Sequence, residues 1–333
     1  MSSPSQITLP VDPVGGKEET PCGSTRQIGV GGQRPFRCAD ALAEVEKEAL
    51  AKAPSRKPVK IAVVTIASGY NAAMPAIRSN RNEYTRIHGY TSLLIVSEGQ
   101  GQAANVGDVL LKLPSDWDSK GFPWGKMKAI EALFEQLPDI THAFWLDADI
   151  VLTNLRVGLE WLALLDYSFV TCGDENGINT GAFLMRNDAF SLNLLRRTWG
   201  LYPSFASHPW YEQGAMIGVI MSNLSATGPT GMSSADEANL ALRAFHAATM
   251  MADTPACVAR LNAKLSPSSK NFVLLVPQCL FGRRPNTWAT GSFAVHFAGI
   301  PRESKVRMFL KYESMVLRDD SLVKTVALPP ARS

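Results

Sequence analysis

A chain of 333 residues that is 46% hydrophobic and 19% charged has enough apolar material for a core of its own. That excludes disorder throughout and makes a globular enzyme the default class. Its formal net charge of +3 is small, and Lys and Arg are dispersed among acids rather than gathered into a stripe, so nucleic acid is not an expected partner.

From the N-terminus, residues 1–38 are rich in Gly, Pro, Ser and Gln and cannot repay the entropy of ordering. A flexible tail is expected over 1–58, with a surface helix at 39–53. Short apolar runs at 61–66, 93–96, 143–146, 169–171, 182–185, 272–276 and 293–296 read as strands. Between them Met127, Ile130, Leu133, Phe134 and Leu137 fall on one helix face, and helical patterns recur at 191–199, 211–220 and 305–315. This alternation predicts one α/β domain over 59–320, with a mainly parallel sheet covered by helices and its ligands at the carboxyl ends of the strands. Residues 221–270 read as an insertion or mobile region, and 321–333 as a C-terminal tail. No window approaches the roughly 20 apolar residues of a membrane helix, and the first residues lack the apolar core of a signal peptide, so no membrane segment is expected. Cys22, Cys38, Cys172, Cys257 and Cys279 show no C-x-x-C spacing, which argues against structural zinc.

The chemistry concentrates at Phe144-Trp145-Leu146-Asp147-Ala148-Asp149-Ile150. Two carboxylates two residues apart at a strand end point to the same face of a sheet and can share one cation. Hard oxygen donors select Mg2+ or Mn2+. The plain alternative is a strand-end cap, but an unpaired carboxylate among Phe144, Trp145, Leu146, Ile150 and Val151 is costly. An Asp-x-Asp phosphatase is a further alternative, weakened because Val151 stands where its Thr is expected.

Asn80-Arg81, Tyr84 and His88-Gly89-Tyr90 are followed by Trp124-Gly125-Lys126, by Trp145 to Asp149, and by Gly177 to Phe183 with Arg186. Glu212-Gln213 and Val295-His296-Phe297-Ala298-Gly299 complete the set. In that order these segments resemble glycosyltransferase family 34, the galactosyl and xylosyl transferases, over about residues 60–315. The resemblance implies a GT-A type fold, a nucleotide-sugar donor such as UDP-galactose, UDP-xylose or UDP-glucose, Mn2+, a glycan acceptor, and transfer with retention. It also implies that His296 completes a metal site with Asp147 and Asp149, neutral imidazole being an acceptable Mn2+ ligand.

Other roles follow from the same likeness, each beside a plainer reading. Arg302 and Lys305 are expected to grip the diphosphate, or to be solvated surface cations. Thr65, Ala67, Ser68 and Gly69 form a small-residue loop that lets amides approach a nucleotide, or an ordinary strand-to-helix turn. Asn80 and Tyr84 are expected near the base. Asn179, Thr180 and Gly181 are expected beside the donor sugar, as is Ala148 at the metal turn, and Gly181 permits close approach. Asp174 and Glu175 are candidates for sugar hydroxyls, or loop acids. Gln213 is expected under the reacting carbon and Glu212 at the acceptor, although a Glu in a first turn often serves the helix dipole. Lys126 and Trp124 are expected near the nucleotide or acceptor groove, Trp124 equally as packing. An inactive nucleotide-sugar-binding relative or partner subunit stays open as a second function. The compartment stays open between the Golgi lumen, by family analogy, and the cytoplasm.

Overall fold

Along β1 (Ile61–Ile66) side chains alternate between two cores: Ala62, Val64 and Ile66 join one, Ile61 and Val63 the other, as the two-residue period of a strand buried on both faces requires. The computed structural model describes residues 58–96, 103–106, 109–174, 177–221, 262–263, 265, 269, 271–276, 278–288 and 291–317. The expected N-terminal tail and its helix, Glu175, most of the 221–270 insertion and the C-terminal tail lie outside these residues.

β1 leads through a 3-10 turn (Asn71–Ala73) into α1 (Met74–His88), then β2 (Thr91–Ile95), β3 (Ala103–Val106), β4 (Val109–Lys112) and α2 (Phe122–Gln136). β5 (His142–Leu146), β6 (Ile150–Leu152), the short α3 (Glu160–Ala163), β7 (Phe169–Asp174) and β8 (Gly177–Arg186) follow. The chain continues with α4 (Ala189–Gly200), α5 (Tyr202–Phe205), α6 (Tyr211–Met221), β9 (Val273–Val276), β10 (Ala294–His296) and α7 (Arg302–Glu313).

One eight-stranded sheet has the order β4-β3-β2-β1-β5-β8-β7-β9. The parallel heart expected from strand and helix alternation is β2-β1-β5, and β7 and β9 are also parallel. β3, β4 and β8 run antiparallel to their neighbours. The β7 to β8 connection is only two residues, and so short a link joins antiparallel strands alone.

On one face α2, α4 and α6 supply Met127, Ile130, Leu133, Leu194, Met216 and Ile217 against Trp145 and Phe183. On the other, Ile77 and Tyr84 of α1 and Phe309 of α7 pack with Phe144 and Phe293. Asp188 caps α4 by accepting from Ser191 N at 2.9 Å, an arrangement that satisfies an amide left open at a helix start. β6 and β10 form a separate antiparallel pair in which His296 faces Ile150. This small ribbon carries His296 back across the sheet to the end of β5.

Candidate active site

The acidic pair lies one step beyond the strand expected to carry it. β5 stops at Leu146, where the Asp147 amide donates to Gly181 O at 2.7 Å, and Ile150 N closes a turn on Asp147 O at 3.1 Å. Asp147 and Asp149 converge because they flank a tight turn between β5 and β6, not because they alternate along a strand. Phe297 N donates to Asp149 O at 3.1 Å, which ties the turn to the end of β10. Ligand-capable atoms of Asp147, Asp149 and His296 thus lie within 4.8 Å of one another.

The pair is electrically asymmetric. Asp147 Oδ1 accepts from Trp145 Nε1 at 2.8 Å and Lys126 Nζ at 3.3 Å. Burial pushes its carboxyl up, Lys126 opposes, and the neighbouring Asp149 charge adds to the rise. Asp149 pairs with Lys305 Nζ at 2.5 Å and lies 3.5 Å from His296 Nε2. Burial would raise its carboxyl too, but His296 and Lys305 overcome it and hold it below the usual carboxylate range. Two carboxylates this close are best kept apart in charge by different partners, and here each has its own lysine.

Lys126 is 1% exposed and reaches three oxygens: Asp147 Oδ1, Thr180 O at 3.0 Å and Glu212 Oε1 at 2.8 Å. Burial works against its charge, but Asp147 and Glu212 outweigh it and the ammonium is raised overall. Glu212, expected at the acceptor, is a buried counterion to Lys126 and receives the Thr180 hydroxyl at 3.4 Å. Gln213 is half-buried and accepts from the Thr180 amide at 3.4 Å. Asn179 Oδ1 accepts the Gly181 amide at 2.7 Å, and its Nδ2 lies 3.5 Å from His296 Nδ1. Gly181 is a glycine because His296 fills the space of its side chain: an added Cβ would meet the imidazole Cε1 at 2.4 Å.

A cavity of about 260 Å3 opens at this cluster, with Ser68, Lys126, Asp147, Ala148, Asp149, Arg302 and Lys305 among its walls. Tyr70 is also there. Burial, then Asp149 and Asp147, push its phenol above the usual value, and the Arg302 guanidinium lies 5.7 Å from its ring centroid. Gly69 adopts φ +75°, and a Cβ there would sit 2.8 Å from Arg302 Nη1, so both backbone and neighbour call for glycine.

Several expected site residues lie away from the cavity walls. Asn80 and Tyr84, expected at the nucleotide base, are fully buried. Asn80 holds both the amide and carbonyl of Leu152, and the Tyr84 hydroxyl donates to Val157 O at 2.8 Å. Their helix turns them into the core, where their polar atoms anchor β6 and the loop beyond it. Thr65 accepts Arg81 Nε at 3.2 Å, and the buried Ala67 spends its amide on Ile95 O, which leaves Ser68 and Gly69 as the open part of the expected loop. Trp124 is 1% exposed and edge-on to Tyr202, so it packs.

Arg81 was legible only as part of a motif. It is fully buried beneath the acidic turn, and burial, offset by Asp149 and Asp147, brings its guanidinium down to about 9. The signal for it was present: Ile77, Asn80, Arg81, Tyr84 and Thr85 are the buried residues of α1, the spacing of a core-facing stripe. Tyr70 announced itself only as an aromatic after Gly69.

The fold and this cavity define an α/β protein with a metal-capable acidic turn beside a cationic helix end. The family model described as the galactosyl transferase GMA12/MNN10 family matches residues 59–167, about a third of the chain. Xyloglucan 6-xylosyltransferase 2 of Arabidopsis thaliana is 36% identical over 93 residues, covering 25% of this chain and 20% of the relative. Xyloglucan 6-xylosyltransferase 1 of the same plant is 36% identical over 89 residues, covering 24% and 19%. The chain thus spans about a fifth of the length of these relatives. Among solved structures, a glycosyltransferase involved in the glycosylation of the major capsid of PBCV-1 has a TM-score of 0.46 at 13% identity, over 76% of this chain and 99% of that one. Among the described residues no helix is long and apolar enough to cross a membrane.

Proposed function

We propose that the protein is a retaining glycosyltransferase that moves a hexose or pentose from a nucleoside diphosphate sugar, a UDP-sugar, to a glycan hydroxyl with Mn2+ or Mg2+. The observation that carries this reading is the convergence of Asp147, Asp149 and His296 beside a cavity that the two carboxylates line together with Lys305 and Arg302. Two carboxylates and an imidazole suit a divalent cation of this hardness. When bound, the ion neutralises charge building on the departing diphosphate.

The chain's own residues supply the rest. Arg302 and Lys305, at the first turn of α7, are placed to take phosphate oxygens by charge-assisted hydrogen bonds. Lys126 holds Asp147 in one orientation and joins it to Glu212, so the metal side and the sugar side share one buried cation. Gln213 and Asn179 offer amide groups beside Thr180 and Gly181, where we place the donor sugar. The names of the xylosyltransferase relatives make UDP-xylose the first donor to try.

The test is turnover of a UDP-sugar panel with and without Mn2+, for wild type, Asp147→Asn and Asp149→Asn. Metal-dependent release of UDP, lost in both folded variants, is the expected result. Wild type that binds UDP and Mn2+ without turnover would instead make it a binding relative, and no binding of either would remove the reading altogether.

A further inference from the structure

Arg81 is not among the walls of the cavity, yet its guanidinium reaches the turn that carries both carboxylates. Nη2 donates to Asp147 O at 3.2 Å and Ile150 O at 2.7 Å, the carbonyls at the two ends of the turn. Nε donates to Thr65 Oγ1 at 3.2 Å, and Nη1 to Asn80 Oδ1 at 2.6 Å. Asn80 in turn holds Leu152 through its amide and carbonyl. The end of β1, α1, the acidic turn and β6 therefore meet on one side chain that is 1% exposed.

Burying a guanidinium is costly unless its charge and donors are matched. The donors are spent on the turn's backbone, Thr65 and Asn80, and the compensating negative charge comes from the two carboxylates above it. The turn has one backbone bond of its own, Ile150 N to Asp147 O, which leaves the Ile150 carbonyl to Arg81. Without that grip, repulsion between Asp147 and Asp149 acts on a turn that keeps its bonds to Gly181 O and from Phe297 N but has lost the hold on its Ile150 carbonyl.

We propose that Arg81 is a positioning residue that clamps both ends of the Asp147–Ile150 turn, fixes the separation of the Asp147 and Asp149 carboxylates, and thereby sets the affinity for the divalent cation. This rests on the metal-dependent reading above. A lysine keeps the charge but lacks the planar fork that reaches several acceptors in fixed directions, so Arg81→Lys isolates the clamp from the charge.

The experiment titrates Mn2+ against wild type, Arg81→Lys, Thr65→Val and Asp188→Ala, reading free Mn2+ by electron paramagnetic resonance and folding by near-ultraviolet circular dichroism. No turnover is needed, so failure of the clamp and failure of the proposed catalysis are read separately. Loss of an outer-sphere partner weakens metal sites roughly 10–100-fold, and that is the expected rise in Kd for Arg81→Lys. Raised Mn2+ should restore its kcat. Thr65→Val, which removes the acceptor of Nε alone, should weaken binding in the same direction by a few-fold. Asp188→Ala, a lost helix cap remote from the turn, should lower stability with Kd within about twofold of wild type, which separates positioning from general loosening. A folded Arg81→Lys protein with wild-type Kd overturns the proposal. Should that variant not fold, Thr65→Val decides alone, and wild-type Kd there overturns it equally. Wild type that binds no Mn2+ sinks the metal-dependent reading and the clamp with it.

Discussion

Gly181→Ala is the most economical perturbation of the site, because it adds one methyl group and removes no polar atom. That methyl would lie 2.4 Å from His296 Cε1, 3.0 Å from Nε2 and 3.1 Å from Asn179 Oδ1. Carbon atoms rest at about 3.5–4.0 Å, so the imidazole must retreat by about 1 Å. It has little room to do so. His296 is 6% exposed, its amide is held by Arg283 O at 2.9 Å, and Gly282 backs it so closely that a Cβ there would lie 3.2 Å from the His296 Cβ. The ring must tilt, which carries Nε2 away from Asp149 and Asp147. Overpacking of this kind costs about 1–3 kcal/mol of stability, which leaves a folded protein. Displacing one of three metal-capable atoms should raise the Mn2+ Kd by at least the roughly 10–100-fold seen when only a ligand's support is lost. Calorimetric Mn2+ titration beside guanidinium unfolding of both proteins is the assay. Gly181→Ala protein that is measurably destabilised yet binds Mn2+ with wild-type affinity would refute the assignment of His296 as a ligand.

Lys305→Met should move two ligands in opposite directions. Removing an ammonium from Asp149 takes a like charge away from Mn2+ and tightens its binding, while UDP affinity falls roughly 10–100-fold with the loss of a charge-assisted hydrogen bond; calorimetry showing both ligands shifting the same way would exclude the shared role. Tyr84→Phe leaves the Val157 carbonyl without its donor and should cost about 1–3 kcal/mol in urea unfolding, with UDP affinity unchanged; weakened UDP binding would restore Tyr84 to the nucleotide site. His142 gives a pH dependence: burial, then Arg186, bring its imidazole down to about 4 against an unfolded value near 6.5. The unfolded chain therefore takes up the proton first, so this contribution is fully present above about pH 6.5 and is lost as pH falls to about 4, a difference of about 3 kcal/mol. Unfolding free energies at pH 7.5 and 4.5 should differ less in His142→Gln than in wild type by about that amount, and equal pH dependence in both proteins would disprove it.

What the sequence made legible was whatever has a period. Strands such as Ile61–Ile66 and helices such as Phe122–Gln136 announce themselves because burial on a regular backbone repeats every two residues or every three to four. β6 escaped notice because three residues show no period, while its partner β10 lies within the apolar run 293–296 that reads as a strand. Yet this pair, pinned by Asn80 and by Phe297 N, is what brings His296 to the acidic turn. Motif resemblance could name His296, but no local pattern says that Ile150 and His296 are opposite one another.

Several polar residues expected at the ligand are buried and partnered within the fold for one physical cause. Asn80, Tyr84, Thr65 and Glu212 are polar residues next to the site in the chain, and polarity in a motif reads as contact with a ligand. The folded chain uses them to satisfy buried backbone groups and a buried lysine, because a turn that holds two carboxylates in an apolar surround must have every nearby donor and acceptor matched. The acids that face the cavity are the few left once that matching is complete. Arg81 belongs to the same logic from the other side: a cation on the buried stripe of α1 is intelligible only when the acidic turn above it is in view. Support for a charged site is therefore dispersed through the chain, in Arg81, Lys126 and Asn80, while the atoms it supports are gathered in one turn and one strand end.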